Sequence, residues 1–193
     1  MLIAFEGPDN TGKSTSATNL THDRHPIYNA TKANYKAAKA DLAGEPDLVQ
    51  CFDRIDWFSH MVYRLSLPEH DWNDDRIRTV FAMPDTHLVI KLHRSDLAQL
   101  ISDELYSTGT LAKINPMYFY FSEFFMNLNR GRDYDLFKTV SLVEVSNDPR
   151  DGSFSQRLIS FDSPTYHSGN VLNDVTDDES LLQLLRLEES ENF

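Results

Sequence analysis

The stretch from residue 7 to residue 14 reads GPDNTGKS, and it follows directly on the apolar run LIAF at residues 2–5. A glycine, four residues and then Gly-Lys-Ser, placed after a strand and before a helix, is the pattern of a loop that surrounds phosphate groups. Such a loop directs several backbone N–H groups and the positive end of a helix dipole to one point. The stretch therefore predicts an anion site between a first strand and a first helix, which we expect Thr15 to open.

The polar side chains of this stretch suit a nucleoside triphosphate bound together with Mg²⁺. We expect Lys13 to reach the β- and γ-phosphates and Ser14 to offer its hydroxyl to the metal. Gly7 and Gly12 allow the backbone to curl where a Cβ atom would collide. The expected cofactors are therefore ATP and Mg²⁺. The residues predicted to contact the nucleotide are Pro8, Asp9, Asn10, Thr11, Gly12, Lys13, Ser14 and Thr15.

Size and charge narrow the classes of partner. The chain has 193 residues, which is enough for one well-cored α/β domain and too few for two. It carries 18 basic and 30 acidic side chains, a formal charge of −12. A negative mean field disfavours non-specific binding to nucleic acid or to anionic lipid, so we expect nucleic acid only as a phosphate acceptor at a local basic site. The sequence is compatible with a homodimer.

Cysteine content and hydropathy predict the compartment. The single cysteine, Cys51, excludes an intramolecular disulfide and fits a reducing compartment, where we expect it to be a small buried hydrophobe. No run approaches the roughly 20 apolar residues that a membrane helix needs. The N-terminus also lacks the pattern of a secretory signal. We therefore expect a cytoplasmic protein without membrane contact, located in the host cytoplasm if the chain is viral.

Apolar runs of strand length recur along the chain, with helical patterns between them. Short apolar strands separated by helices are typical of a parallel sheet covered on both faces. The sequence therefore predicts an α/β fold with a five-stranded, mostly parallel sheet, and SQRLISF at 155–161 is a candidate sixth strand. The five runs are LIAFE at 2–6, PIYNA at 26–30, DLVQCF at 47–52, THLVIKL at 86–92 and TVSLVEV at 139–145.

Helical spacing and capping residues predict the elements between and after these strands. Ser95 is a candidate N-cap for a helix over 94–106, and Thr176 is a candidate N-cap for an acidic final helix. An aromatic-rich helix follows from Pro116, and we expect its rings to pack in the core. The predicted helices cover residues 15–20, 31–44, 56–65, 94–106, 116–128 and 177–189.

A second polar element stands at the end of the presumed third strand, where Asp53 and Arg54 follow Cys51-Phe52. An aspartate there holds Mg²⁺ directly or through water, and an adjacent arginine neutralises a transferred or acceptor phosphate. Ligands of open α/β sheets gather at the carboxyl ends of the strands. We therefore expect Asp53 and Lys13 to face one crevice, although an ordinary strand-ending salt bridge explains the same residues.

With these residues in view, the sequence resembles the thymidylate kinase group of P-loop nucleotide kinases, which phosphorylate deoxynucleoside monophosphates. FEGPDNTGKST is similar to the opening of that group, and FDRIDWFSHMVYR resembles its Asp-Arg segment, with Ser59 and Tyr63 following along the helix. MPDTHLVIKL is similar to the Pro-Asp opening of the fourth strand. The resemblance covers about residues 1–147.

The resemblance implies a P-loop NTPase fold in which Lys13, Ser14 and Thr15 bind ATP phosphates and Mg²⁺. It also implies that Asp9 faces the sugar or hydroxyl of the acceptor, and that Asp53 and Arg54 organise metal and phosphate. Residues 1–147 would form the kinase core, with a lid near 106–116. Residues 148–193 would form a C-terminal extension that packs on this core.

Three departures from the group leave the acceptor open. No Arg-Glu-Pro-Gly segment stands between Lys13 and Asp53, so the acceptor must be gripped differently. The lid region offers Lys113 and no arginine, which makes Lys113 the first candidate for a lid clamp. The extension after about residue 147 has no counterpart in the group. Other candidates for the clamp are Arg94, Arg130 and Arg132.

These departures leave three functions. The first is phosphoryl transfer from ATP to a pyrimidine deoxynucleoside monophosphate, including a modified one. The second is phosphorylation of a hydroxyl on a modified base or at an end within DNA, in which case Asp9 serves as a catalytic base. The third is a nucleotide-binding regulator without kinase activity. A guanine-reading Asn-Lys-x-Asp segment is absent, and Asn147-Asp148 is the nearest match.

Overall fold

Strands and helices alternate through most of the chain. The computed structural model describes residues 1–22, 24–102, 107–131, 136–162 and 174–190. Its strands are β1 (Leu2–Glu6), β2 (Ile27–Ala30), β3 (Gln50–Ile55), β4 (Met83–His93), β5 (Phe137–Asn147) and β6 (Phe154–Asp162). Its helices are α1 (Lys13–Thr21), α2 (Lys32–Gly44), α3 (Asp56–Ser66), α4 (Thr110–Gly131) and α5 (Asp178–Ser190), with a 3₁₀ turn at Ile77–Thr79.

The strands form one sheet in the order β2-β3-β1-β4-β5-β6. Every neighbouring pair from β2 to β5 is parallel, and β6 runs antiparallel to β5. The predicted α/β class with a mostly parallel sheet is confirmed, whereas the count of five strands is wrong because the candidate at 155–161 is the sixth strand. An edge strand that is half exposed carries a weaker apolar pattern than the central strands do.

Two apolar layers cover the two faces of the sheet. Even-numbered positions of β1, such as Leu2 and Ala4, pack with residues of α2, α3 and α4. Odd-numbered positions, such as Ile3 and Phe5, pack with α1 and α5. This alternation follows from the two-residue period of a strand. The C-terminal helix thus completes the face of the sheet that carries α1.

Helix boundaries differ from the sequence prediction at three places. Helix α1 begins at Lys13 and not at Thr15, because Gly12 at φ 76° turns the chain directly into the helix. Helix α5 is capped by Asp177 and not by Thr176, since the Asp177 carboxylate accepts from the Ser180 N–H at 2.8 Å. Helix α4 begins at Thr110 and contains Pro116, so the second half of the predicted lid is helical.

The helix predicted over 94–106 is wrong within the described residues. Residues 95–100 form turns, in which the Leu97 N–H donates to the Arg94 carbonyl at 2.9 Å and the Leu100 N–H donates to Leu97 at 2.8 Å. The Ala98 N–H also donates to the Arg94 carbonyl at 3.0 Å, and this one i to i−4 bond with two i to i−3 bonds makes turns and not an α-helical ladder. Residues 103–106, which include the start of the predicted lid, lie outside the described part of the chain. Among the described helices, none has the length and apolar character needed to cross a bilayer.

Candidate active site

The candidate site lies where the connections of two adjacent strands leave the sheet in opposite directions. Strands β1 and β3 pair in parallel with Phe5 opposite Asp53. The connection that follows β1 leads to β2, which lies beyond β3 in the sheet. The connection that follows β3 leads in the opposite direction to β4, which lies on the other flank of β1. In open α/β sheets such a reversal opens a crevice at the carboxyl ends of the strands. The loop from β1 and the residues Asp53 and Arg54 both stand at this crevice.

The loop between β1 and α1 has a backbone that its glycines require. Gly7 has φ +139°, and a Cβ atom there would lie 2.0 Å from the carbonyl oxygen of Lys91. Gly12 has φ +76°, and Asn10 also takes a left-handed conformation at φ 63°. Because no side chain caps α1, its first-turn N–H groups remain available to an anion. Ser14 and Thr15 are exposed at this helix end.

Lys13 folds back into the loop. Its ammonium donates to the Pro8 carbonyl at 2.5 Å, and the Thr11 hydroxyl donates to the same oxygen at 2.9 Å. The Lys13 side chain is buried, with 4% of the residue exposed. Burial, and after it the charge of Arg54, lowers the pKa of Lys13 to about 7, although Asp9 and other carboxylates oppose the shift. Lys13 therefore lies within electrostatic reach of Asp53 and Arg54 on β3.

Asp9 and Arg54 form an ion pair across the crevice. The guanidinium of Arg54 donates to Asp9 Oδ1, and the Tyr63 hydroxyl of α3 donates to Asp9 Oδ2 at 2.9 Å. The Arg54 guanidinium also lies 5.6 Å from the centre of the Tyr63 ring. Arg54 has φ 79°, a backbone conformation that costs a non-glycine residue about 1 kcal/mol or more. The local fold thus maintains a strained residue that aims its charge at the loop.

Asp53 lies beside this pair and is 3% exposed. Its Oδ1 atom has no hydrogen-bond partner among the described residues. A buried carboxylate oxygen without a partner is costly, and a bound water, cation or ligand would satisfy it. No group of three or more His, Cys, Asp or Glu residues in the described ranges could hold a metal by itself.

Glu6 is a buried residue of the site to which the sequence assigned no role. It is fully buried at the end of β1, and its carboxylate accepts from the Ile55 backbone N–H. The Ser59 hydroxyl donates to both carboxylate oxygens, at 3.0 and 2.9 Å, and the Tyr118 hydroxyl donates at 3.0 Å. Burial raises the pKa of Glu6, while Arg54 and the hydrogen bonds oppose the rise. Glu6 thereby joins β1, the start of α3 and α4.

His93 is a second residue that the sequence did not single out. It lies at the tip of β4, and its Nε2 is 2.7 Å from the Asp9 carbonyl oxygen, which can only accept a hydrogen bond. Burial lowers the pKa of His93. The side chain of Asn115 bonds both the N–H and the carbonyl of His93, at 3.0 and 2.9 Å. The loop is therefore attached to β4 as well as to β3.

Lys113, the predicted lid clamp, is not brought to this cluster. It is exposed on α4, and within the described ranges no hydrogen bond or ion pair joins it to the loop. Arg94 stands at the tip of β4 next to His93, where its guanidinium binds Asp96 at 2.6 Å. Arg130 lies at the far end of α4 and pairs with Asp162 at 2.9 Å. Arg132 lies outside the described residues.

Comparisons with known proteins give a fold-level likeness only. No protein-family model matches the chain, and no curated protein matches it. Among solved structures, the chain is similar to the YorR protein of Bacillus subtilis, whose crystal structure is a complex with phosphorylated GDP. The two chains share 17% sequence identity, the match covers 98% of each, and the TM-score is 0.43. At this level of likeness, the function has to be argued from the residues of the site.

Proposed function

We propose that this chain is a nucleotide kinase that transfers the γ-phosphoryl group of ATP to a pyrimidine deoxynucleoside monophosphate. The observation that carries the proposal is the convergence of the loop lysine, Lys13, with Asp9, Asp53 and Arg54 at one crevice. Phosphoryl transfer requires positioning and charge neutralisation more than covalent assistance. One cradle for a triphosphate and one fixed guanidinium provide these two requirements.

Lys13 supports the assignment through its protonation. A buried ammonium with a pKa of about 7 is only partly charged near neutral pH. The β- and γ-phosphates of a nucleotide would favour the charged form, because an opposite charge at contact distance raises the pKa of a lysine. The lysine then exchanges its bond to the Pro8 carbonyl for bonds to phosphate oxygens.

The oxygen atoms of Asp53 and Ser14 suit Mg²⁺, which prefers hard oxygen ligands and uses few protein groups when phosphates complete its shell. Among the described residues, Asp53 has a buried Oδ1 without a hydrogen-bond partner, and this oxygen fits the ion. When bound, Mg²⁺ would neutralise charge on the β- and γ-phosphates. ATP and Mg²⁺ are therefore the cofactors that we propose.

The state of Asp9 favours a phosphate acceptor over an alcohol. Both carboxylate oxygens of Asp9 accept hydrogen bonds, one from Arg54 and one from Tyr63. An alcohol acceptor needs a base with a free oxygen to remove its proton, and both oxygens of Asp9 are already engaged. Arg54, held by Asp9, is instead suited to a phosphate oxygen of the acceptor.

Transfer of label from γ-³²P-ATP tests the proposal. The acceptors are the deoxynucleoside monophosphates, a 5-hydroxymethylated pyrimidine monophosphate, and duplex DNA that contains the same modified base. We expect label on a monophosphate, and a loss of about a hundred-fold or more for Lys13→Ala. Lys36→Ala, on the exposed face of α2, is the matched control and should keep full activity. Label on DNA alone, or on no acceptor, would reject the proposal.

A further inference from the structure

A buried lysine lies beneath the β1–α1 loop and outside the motif that defines it. Lys91 is on β4 and is 1% exposed. Its ammonium donates to the Ser16 hydroxyl of α1 at 2.6 Å. It also lies 3.9 Å from the position that a Cβ atom on Gly12 would occupy. The charged end of Lys91 therefore lies directly behind the point where the loop becomes helix α1.

The backbone of Lys91 contacts the other end of the same loop. Its carbonyl oxygen lies 2.0 Å from the position of a Cβ atom on Gly7, so the loop packs against β4 without space for a side chain. One residue thus touches the loop near its first and its last glycine. Displacement of Lys91 would disturb both ends of the segment that carries Lys13.

The charge of Lys91 is balanced from the C-terminal helix. The Asp178 carboxylate of α5 lies 3.7 Å from the Lys91 ammonium and accepts from the Ser16 hydroxyl at 2.7 Å. The side chains of Gln156 and Asn19 also donate to Asp178, at 3.1 and 3.4 Å. A buried ammonium without such a partner is strongly unfavourable. Asp178 therefore makes α5 part of the support of α1.

We propose that Lys91 is a positioning residue for the β1–α1 loop, and that Asp178 couples the C-terminal helix to this loop through Lys91 and Ser16. The inference deepens the proposed function and rests on it for the ligand, a nucleoside triphosphate. It assigns a role to α5 that goes beyond completing the apolar core. The loop geometry then depends on residues from β4 and α5 in addition to its own glycines.

The variant that tests this inference is Lys91→Met, which keeps the aliphatic stem and removes the charge. Its partner Asp178 is only partly buried and keeps Ser16, Asn19 and Gln156 as donors. The matched control is Glu189→Gln, which weakens the attachment of the other end of α5 to His87 and Lys138. Asp178→Asn and the double variant Lys91→Met/Asp178→Asn complete a double-mutant cycle.

Two measurements separate positioning from general destabilisation. The first is equilibrium binding of a non-hydrolysable ATP analogue with Mg²⁺, for which we expect Lys91→Met to weaken binding by about ten-fold to a hundred-fold, and Glu189→Gln to leave it unchanged. The second is hydrogen exchange without nucleotide, where Lys91→Met should accelerate exchange in residues 7–20 selectively. The double variant should bind no more weakly than Lys91→Met.

The outcomes distinguish the two proposals. If the unmodified protein binds no nucleotide, the proposed function fails, while hydrogen exchange still decides the role of Lys91. If the unmodified protein binds nucleotide and Lys91→Met binds it equally well, the positioning role is wrong. Equal losses in Lys91→Met and Glu189→Gln, or exchange that accelerates throughout the chain, would also overturn it.

Discussion

Arg54 pairs with Asp9 across the crevice, and it does so from a left-handed backbone at φ 79°. The two residues belong to the ends of neighbouring strands, since Asp9 follows β1 and Arg54 lies near the end of β3. The conformation of Arg54 turns its side chain toward the loop. The strain is therefore connected with the orientation of a charged group at the site.

Replacement of Arg54 by glycine and by alanine isolates this backbone strain. Both variants lose the same ion pair, but only alanine retains the steric cost of a positive φ. We expect the free energy of unfolding, measured by urea denaturation, to be about 0.5–1 kcal/mol higher for Arg54→Gly than for Arg54→Ala, so that the glycine variant is the more stable one. The same two substitutions at Arg64, inside α3, should give the reverse order by about 1 kcal/mol. Equal stability of the two Arg54 variants would contradict the strain.

Lys13 should reduce stability in the absence of a ligand. Its pKa falls from 10.5 in the unfolded chain to about 7 in the folded one, so between these values the unfolded chain binds more protons. The resulting penalty is full below about pH 7 and disappears as the pH rises toward 10.5. Removal of the ammonium should therefore stabilise the protein most at neutral and lower pH.

The variant Lys13→Met tests this expectation. We expect its free energy of unfolding to exceed that of the unmodified protein by about 1–3 kcal/mol near neutral pH, while nucleotide binding is lost. The excess should shrink between about pH 7 and pH 9.5. Urea denaturation across this range measures it. A variant that is less stable than the unmodified protein at every pH would show that the lysine stabilises the fold.

The loop and the parallel sheet could be predicted from the sequence because both depend on local patterns. Gly7 and Gly12 stand at fixed spacing around Lys13, and each central strand is a short apolar run. The position of Asp53 and Arg54 at the end of a predicted strand indicates a role at the carboxyl edge of the sheet. The parallel pairing of β1 and β3 then brings them to the loop.

Contacts between distant segments could not be predicted in the same way. Glu6 accepts a hydrogen bond from Tyr118, which is 112 positions away in the sequence. Lys91 on β4 forms an ion pair with Asp178 at the start of the C-terminal helix. Nothing in the local sequence pairs such residues. The error at 94–106 has a related cause, since buried contacts of Leu97 and Ile101 reproduce a helical apolar spacing within turns. Lys113 is the one basic residue of the predicted lid, and nothing in the local sequence indicates whether its side chain faces the loop.

Glu6 should contribute strongly to stability through its buried hydrogen bonds. We expect Glu6→Gln to lower the free energy of unfolding by about 2 kcal/mol or more. Glutamine replaces one acceptor oxygen by an NH₂ group, which would face the N–H and O–H donors of Ile55, Ser59 and Tyr118 without an acceptor between them. Tyr118→Phe removes a single donor and should cost about 1 kcal/mol. Urea denaturation of both variants measures the difference. A smaller loss for Glu6→Gln than for Tyr118→Phe would contradict this arrangement.

Arg94 should matter more to phosphoryl transfer than the lysine predicted from the lid. Arg94 stands next to His93 at the tip of β4, whereas Lys113 has no contact with the loop within the described residues. We expect Arg94→Ala to lower kcat by about ten-fold or more, and Lys113→Ala to lower it less than two-fold or so. Arg130→Ala is the control for loss of an arginine far from the loop. Steady-state kinetics are measured with whichever monophosphate accepts label in the transfer experiment. A lower kcat for Lys113→Ala than for Arg94→Ala would reverse the assignment.

The contact between His87 and Glu189 should make the docking of α5 sensitive to acid. His87 is fully buried on β4, and its Nε2 lies 3.0 Å from Glu189 Oε1, while Lys138 binds the other carboxylate oxygen at 2.8 Å. Burial lowers the pKa of His87, and the bond to His87 lowers the pKa of Glu189 from 4.5 to about 2. The stabilising effect of Glu189 is thus present above pH 4.5 and is lost as the pH falls toward 2.

The melting temperature of Glu189→Gln relative to the unmodified protein measures this effect. Because Glu189 is partly exposed, we expect a modest loss at neutral pH, of the size of a screened ion pair. The difference should remain constant down to about pH 4.5 and shrink below it, since acid removes the charge of Glu189 in the unmodified protein as well. Glu179→Gln, an exposed carboxylate on the same helix, should change the melting temperature little at any pH. A difference that stays constant down to about pH 2.5 would show that the carboxylate charge is not what secures the end of α5 to β4.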